Sequence, residues 1–305
     1  MHLDAISTPP RVDLQRQTYT ARLTRKACIS ESAQCYHLEF EIDELERFDF
    51  LPGQFLSAVT VDSRGKSQTR AYSIASAASE NRFDLCVNRV ESGFFSNHLC
   101  DLPEGGSVQV HGPHGHFTLK TPVTDSIFIA TGTGIAPMRG FTQWLFPETG
   151  PDAGQDRSES RQIWLIYGTR HESEIYYRDY FERLAQEREN FHYITTLSRA
   201  HEEWPGHRGY VQEHLAEMAA TRGATQAVAT RQEVAETVAK MDSIGAAEGS
   251  LRETVAAVED RVAAEPLTFD IHTYICGLNN MVSAVRDQLK EYGWHRKQII
   301  FERYD

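Results

Sequence analysis

With 305 residues and 40% hydrophobic side chains, the chain has room for about two domains of ordinary size. A formal net charge of −12 argues against a general nucleic-acid binder, and no run is long and apolar enough to span a bilayer. Five cysteines, Cys28, Cys35, Cys86, Cys100 and Cys276, form no C-x-x-C pair and lack the spacing of a plant-type iron–sulfur site, so reduced thiols in a cytoplasmic setting are expected.

The opening "MHLDAISTPPRVDLQRQ" has no apolar h-region and carries Asp4 and Asp13, which fits neither a secretory signal nor a transit peptide. Short alternating runs then follow: "YTARLTRKACI", "CYHLEFEI", "QFLSAVTV", "RAYSIAS", "RFDLCVNRV" and "SVQVHGP". Pro52-Gly53, Arg64-Gly65, Gly105-Gly106 and Gly112-Pro113 punctuate them. Six short strands with regular turns predict a closed antiparallel barrel over the first ~120 residues. One helix is expected inside it, from Ser96 to Leu102, with Ser96 as its N-cap.

The run "TRAYSIASA" brings Arg70, Tyr72 and Ser73 together. One reading is an edge strand with a solvated arginine. The other is a ligand with an anionic part and a flat ring: Arg neutralises phosphate, Tyr stacks, Ser hydrogen-bonds a ring atom. A flavin nucleotide has all three features. In "GFFSNHL" a glycine precedes a helix start, whose free N–H groups suit a second phosphate pair, with Arg89 close by in sequence. "HGPHGHF" holds His111, His114 and His116 at a spacing that fits no familiar zinc pattern, and is read as structural.

After "KTPVT" the rhythm changes. "SIFIATG", "QIWLIYG", "FHYITTLS" and "IHTYICG" are near-continuous apolar runs, each followed by Gly or Ser and then a helical pattern, which predicts a doubly wound parallel sheet covered on both faces. Ligands then belong at the C-terminal ends of those strands. In "SIFIATGTGIAPMRG" a strand ends at Ala130, Gly132 and Gly134 follow, and Pro137 suits the first turn of a helix; this reads as a pyrophosphate site, or else as an ordinary βα turn. Ser198 and Arg199 sit at a strand end, with Arg208 and Tyr210 some ten residues on, a set that suits a monophosphate beside a stacked base. From about residue 215 to 266 the rhythm breaks. Two capping boxes, Thr230 with Glu233 and Ser250 with Glu253, and apolar stripes at four–three spacing predict a pair of inserted amphipathic helices.

"RAYSIAS", "LCVNRV", "GFFSNHL", "GTGIAPMR", "SR…R.Y", "YICGLNNM" and "FERYD" stand in the order found in ferredoxin–NADP reductases, and the chain resembles the plant-type branch from about residue 50 to 305, the insert apart. The resemblance implies an FAD-binding barrel over residues 1–121 and an NADP(H)-binding α/β domain over 122–305. It implies that Arg70, Ala71, Tyr72 and Ser73 grip FAD, with Ser73 near the reactive flavin nitrogen. Val87, Asn88, Arg89, Gly93, Phe94, Phe95 and Ser96 complete the FAD site. Gly132, Thr133, Gly134 and Pro137 cradle the nucleotide pyrophosphate. It implies that Ser198, Arg199 and Arg208 hold the 2′-phosphate, with Tyr210 against the adenine, and that Gln212 also binds the cofactor. Cys276, Gly277, Leu278 and Met281 lie by the nicotinamide, and Glu302 and Tyr304 match the family's terminal Glu-x-aromatic. Ser73, Cys276, Glu302 and Tyr304 are the implied catalytic set.

The implied activity is NADPH-dependent hydride transfer to FAD and single-electron exchange with ferredoxin or flavodoxin. Alternatives are the NADH-dependent reductase of a multicomponent oxygenase, and a flavin-bearing subunit that the insert docks into a larger complex or an oligomer. Asp305, after the terminal aromatic, departs from the pattern.

Overall fold

The computed structural model describes residues 17–62, 64–216 and 269–304. The inserted helices expected within 215–266 lie, apart from their first two residues, outside the described residues.

Six strands form the first sheet: β1 (Thr18–Ser30), β2 (Cys35–Ile42), β3 (Phe55–Val61), β4 (Ser67–Ser73), β5 (Arg82–Asn88) and β6 (Ser107–His114). Their order is β4-β3-β6-β1-β2-β5, all neighbours antiparallel. A bridge from Ile74 to Leu85 joins the two ends, so the sheet closes on itself as the alternation predicts. In "CYHLEFEI" Leu38, Phe40 and Ile42 are buried inside the barrel with Tyr36 packed against them, while Glu39 and Glu41 stand on the opposite face. Leu23, Leu38, Phe40, Phe83 and Val110 fill the interior. Residues expected to open a strand at Arg70 instead extend one that begins at Ser67, and it ends at Ser73.

The helix of this unit, α1, spans Phe94–Asp101 and has Gly93 as its N-cap, three residues before the expected cap, Ser96. Ser96 does not cap it. Its hydroxyl accepts from Val90 N at 3.0 Å, which turns the preceding loop back onto the helix. A Cβ at Gly93 would come within 2.7 Å of that hydroxyl, so the loop closes only around glycine.

The second sheet is wholly parallel, in the order β10-β9-β8-β7-β11-β12. Its strands are β7 (Asp125–Thr131), β8 (Ile163–Thr169), β9 (Phe191–Leu197), β10 (His207–Arg208), β11 (Ile271–Leu278) and β12 (Ile299–Tyr304). Helices α2 (Ile135–Leu145), α3 (Arg178–Glu187) and α4 (Asn279–Glu291) cover it. The central strand β7 is buried at its first six positions, which is why its sequence is continuously apolar rather than alternating. Val282, Val285 and Leu289 of α4 pack one face with Ile127 and Ile275. Phe141 of α2 and Phe181 and Leu184 of α3 pack the other, and Cys35, Ala75 and Cys86 of the barrel join that same core. Barrel and sheet therefore share an apolar seam. Phe128, Phe141 and Tyr274 meet there with centroids 5.3–5.5 Å apart, each burial contributing about 2 kcal/mol.

Candidate active site

Ser73 closes β4 at the seam and is buried. Its hydroxyl donates to Glu302 Oε2 at 2.9 Å and accepts from Tyr304 Oη at 2.8 Å. Both partners stand on β12, two residues apart, so period-two geometry points them to one side of the strand. The β11–β12 register sets Cys276 beside Glu302 and Leu278 beside Tyr304. Four residues named from the sequence, separated by up to 231 positions, thus meet at the C-terminal end of the parallel sheet. Burial pushes the Glu302 carboxyl above the usual carboxylate range, with the Ser73 hydrogen bond opposing it. Burial, reinforced by Glu302, pushes the Cys276 thiol up, so this sulfur is no thiolate nucleophile.

On the barrel side, Arg70 is exposed and its guanidinium has no partner among the described residues. Ala71 is exposed, and Tyr72 is half-buried against Phe95 at 6.1 Å between centroids. Burial pushes the Tyr72 hydroxyl up to about 12, so the ring stays neutral. Val87 is buried, and Asn88 accepts from Tyr176 Oη at 2.9 Å. Arg89 is committed to α1: its Nη atoms donate to Asn97 and Asp101 at 2.8 and 2.7 Å, while its buried Nε has no partner. Beside α1 lies a cleft of about 720 Å³ lined by Ser92, Gly93, Phe94, Asn97 and His98, with Phe94 44% exposed.

On the sheet side, Gly132–Gly134 form a 3-10 turn that leads directly into α2, with Pro137 in its first turn. Gly132 holds φ +53° in open space, and Tyr167 Oη donates to its carbonyl at 3.0 Å. A Cβ at Gly134 would overlap the Cys276 carbonyl, and one at Gly277 would overlap the Thr131 hydroxyl and sit 2.6 Å from Met281 Cε. The Thr131 hydroxyl is buried and unpartnered. Thr133 and Leu278 remain accessible, Leu278 being 60% exposed. A glycine turn before a helix, an orphaned hydroxyl and an unpaired arginine beside a half-buried tyrosine fit two phosphate-bearing ligands with flat rings.

The loop after β9 divides its cations. Arg199 is exposed and unpaired among the described residues, and Ser198 Oγ leans on Thr169 O at 3.4 Å. Arg208 is engaged with the loop itself, donating to the carbonyls of His201, Glu202 and Trp204 at 2.9, 2.8 and 3.1 Å. Tyr210 is 62% exposed and Gln212 lies partly buried in the next turn. His111 Nδ1 and His114 Nε2 pair at 2.8 Å, and no group of three metal-ligating side chains occurs among the described residues.

Residues 20–119 match the family of oxidoreductase FAD-binding domains and residues 128–240 that of oxidoreductase NAD-binding domains. Ferredoxin–NADP reductase B of Sorangium cellulosum is 33% identical over 296 residues, covering 96% of this chain and all of that one. The chain belongs to the ferredoxin–NADP reductase family. It is an FAD-dependent oxidoreductase by that membership. A reductase subunit of glycine betaine monooxygenase from Pseudomonas aeruginosa is 31% identical over 59% of this chain, which spans 48% of that protein. In fold, the chain matches a ferredoxin–NADP⁺ reductase of Plasmodium falciparum, solved with 2′P-AMP, at a TM-score of 0.64 and 21% identity over 94% of this chain and 96% of the other.

Sequence reasoning passes over Arg139, His37, Asp84 and Tyr177, which meet at the seam between barrel and sheet. The available signal was a lone arginine between Met138 and Phe141, on a helix buried at nearly every other position.

Proposed function

We propose that this chain transfers hydride between NADP(H) and FAD and exchanges single electrons with a ferredoxin or flavodoxin. The observation that carries the reading is the meeting of Ser73, Cys276, Glu302 and Tyr304 between the Arg70–Tyr72 strand and the Gly132–Gly134 turn. In this reading residues 1–121 carry FAD and 122–305 carry the nicotinamide nucleotide. When bound, FAD supplies a carrier that takes electrons as a pair and releases them singly. Arg70 neutralises phosphate with a cation that no protein group claims, and the half-buried Tyr72 offers a ring face. Thr131, Gly134 and the start of α2 hold the second pyrophosphate. Glu302, its proton affinity raised by burial, accepts from Ser73 Oγ and exchanges protons with the site along that hydroxyl. Tyr304 covers the cluster and keeps water from it.

The test is anaerobic mixing of the yellow protein with NADPH or NADH, followed by addition of oxidised ferredoxin. Bleaching of the flavin band by NADPH and its return with ferredoxin are expected. A flavin that neither nucleotide bleaches would overturn the reading. A second reading, an NADH-dependent oxygenase reductase, is favoured by the likeness to the glycine betaine monooxygenase subunit and by the commitment of Arg208 to its own loop. Faster bleaching by NADH than by NADPH selects it. Among the described residues no helix is long and apolar enough to cross a membrane. A cytoplasmic setting is our inference from five free thiols.

A further inference from the structure

Arg139 stands on the second turn of α2, the helix that opens with the Gly132–Gly134 turn, yet its guanidinium reaches into the barrel. There Nη1 donates to Ala75 O at 2.6 Å and to Asp84 Oδ2 at 2.8 Å. The pair is largely buried, with 14% and 17% of the two side chains exposed. The guanidinium also lies over the rings of Tyr177 and Tyr180, at 5.0 and 5.7 Å. Tyr177 is held at φ +56°, a left-handed backbone that costs a tyrosine free energy, and its hydroxyl is bound to His37 Nδ1 at 3.0 Å. Two neighbours on α2 press on the same stretch of barrel. Gly140 lies so close that a Cβ would meet Ser76 O at 2.9 Å, and Gln143 Oε1 accepts from Ala77 N at 3.1 Å.

One helix therefore fixes two things. Its Gly134 end lies against the Cys276 carbonyl, and its Arg139–Gln143 stretch clamps residues 75–77, which directly follow Ser73 and Ile74. The β11–β12 register then carries Cys276 to Glu302 and Tyr304, and these close back on Ser73. The result is a closed frame: Ser73, the 75–77 segment, α2, Cys276, β12 and Ser73 again. Arg139 is its charged joint, spanning barrel and sheet where Asp84 has no other arginine or lysine partner among the described residues.

We infer that Arg139, paired with Asp84, is a positioning residue for hydride transfer: it fixes the spacing between the flavin-side Ser73 and the nucleotide-side Cys276 without touching either ligand. The inference rests on the NADP(H)–FAD reading above. Reacting atoms held within about 3–3.5 Å lose about a hundredfold in rate for 1 Å of misplacement, so a loosened frame shows in the chemical step before it shows in binding.

The experiment is stopped-flow reduction of the FAD-loaded protein by NADPH, in wild type, Arg139→Met, Arg139→Lys and the double variant Arg139→Met/Asp84→Asn. The double variant removes the buried carboxylate that the single one strands, so it folds even where Arg139→Met does not. The limiting reduction rate is expected to fall about tenfold or more in both Met variants, with partial recovery in Arg139→Lys. FAD content and the apparent Kd for NADPH should stay within about twofold of wild type. A wild-type limiting rate in the folded, FAD-loaded double variant overturns the inference, as does a loss confined to Kd. Should the wild-type flavin itself fail to be reduced, the functional reading fails instead, so the two failures are told apart.

Discussion

In the proposed mechanism Glu302 carries the acid–base behaviour of the site. Its carboxyl is raised because the fold desolvates it, and Ser73 offers only one hydrogen bond in return. Below about pH 4.3, the ordinary value for glutamic acid, the group is neutral folded or unfolded and sets no penalty. As pH climbs to the raised folded value, the unfolded chain ionises while the folded one resists, and a destabilising contribution grows; above that value it stays constant. Glu302→Gln is therefore expected to melt higher than wild type at pH 7, with the gap closing as pH falls to about 4. Turnover with a small-molecule acceptor should drop about a hundredfold, the range for loss of a positioned proton donor, while FAD is retained. Melting curves across that pH range check the first part. A gap of the same size at pH 4 and pH 7 would mean packing, not ionisation, sets the difference.

At the scale of elements, loops matter as much as strands. The segment between β9 and β10 was legible as two arginines and a serine near a strand end, and composition gave no reason to treat the arginines differently. Geometry separates them: Arg199 is free to meet an anion, whereas Arg208 ties the carbonyls of residues 201–204 into shape. Arg199→Ala is expected to raise KM for NADPH about tenfold to a hundredfold, the value of one charge-assisted contact, and to leave KM for NADH nearly unchanged. Arg208→Ala should also raise KM for NADPH, and in addition expose residues 199–208 to limited proteolysis, which Arg199→Ala should not. Equal loss of both nucleotides in Arg199→Ala would refute the assignment. The start of α1 teaches a related lesson. A serine ahead of an apolar run signals an N-cap, but here a nearer backbone N–H, that of Val90, takes the hydroxyl. β12 was read as a motif and not as a strand, because its apolar run, Ile299 to Phe301, is only three residues long and gives way at once to Glu302 and Arg303.

Across the whole molecule, what the sequence made legible was periodicity: alternation for the barrel, continuous apolar runs for the parallel sheet, and glycine turns where strands enter helices. What it left unread was the seam. Arg139 and Asp84 are 55 positions apart, and no local pattern relates a cation on a helix to an acid on a barrel strand. The segment 215–266 stands outside both. Its ends are anchored: Val211 and the segment's first residue, Leu215, on one side and Ile271 on the other are buried in the same core beneath α4. Among the described residues, the partners of the Ser73 hydroxyl come from β12, and the elements proposed to cradle phosphate precede or follow the segment. Replacing Ala216–Glu265 by a short Gly/Ser linker closes a shorter loop between two fixed ends, at an entropic difference of only about 1 kcal/mol. We expect the deletion to keep FAD and to retain NADPH-driven reduction of a small-molecule acceptor within about twofold of wild type. Oligomeric state or turnover with a protein acceptor should change, since the segment's apolar stripes at four–three spacing call for a surface to cover them. Light scattering together with both assays decides between these outcomes. If the folded, FAD-loaded deletion loses the small-acceptor activity, the segment shapes the active site itself, and its role is catalytic support rather than docking.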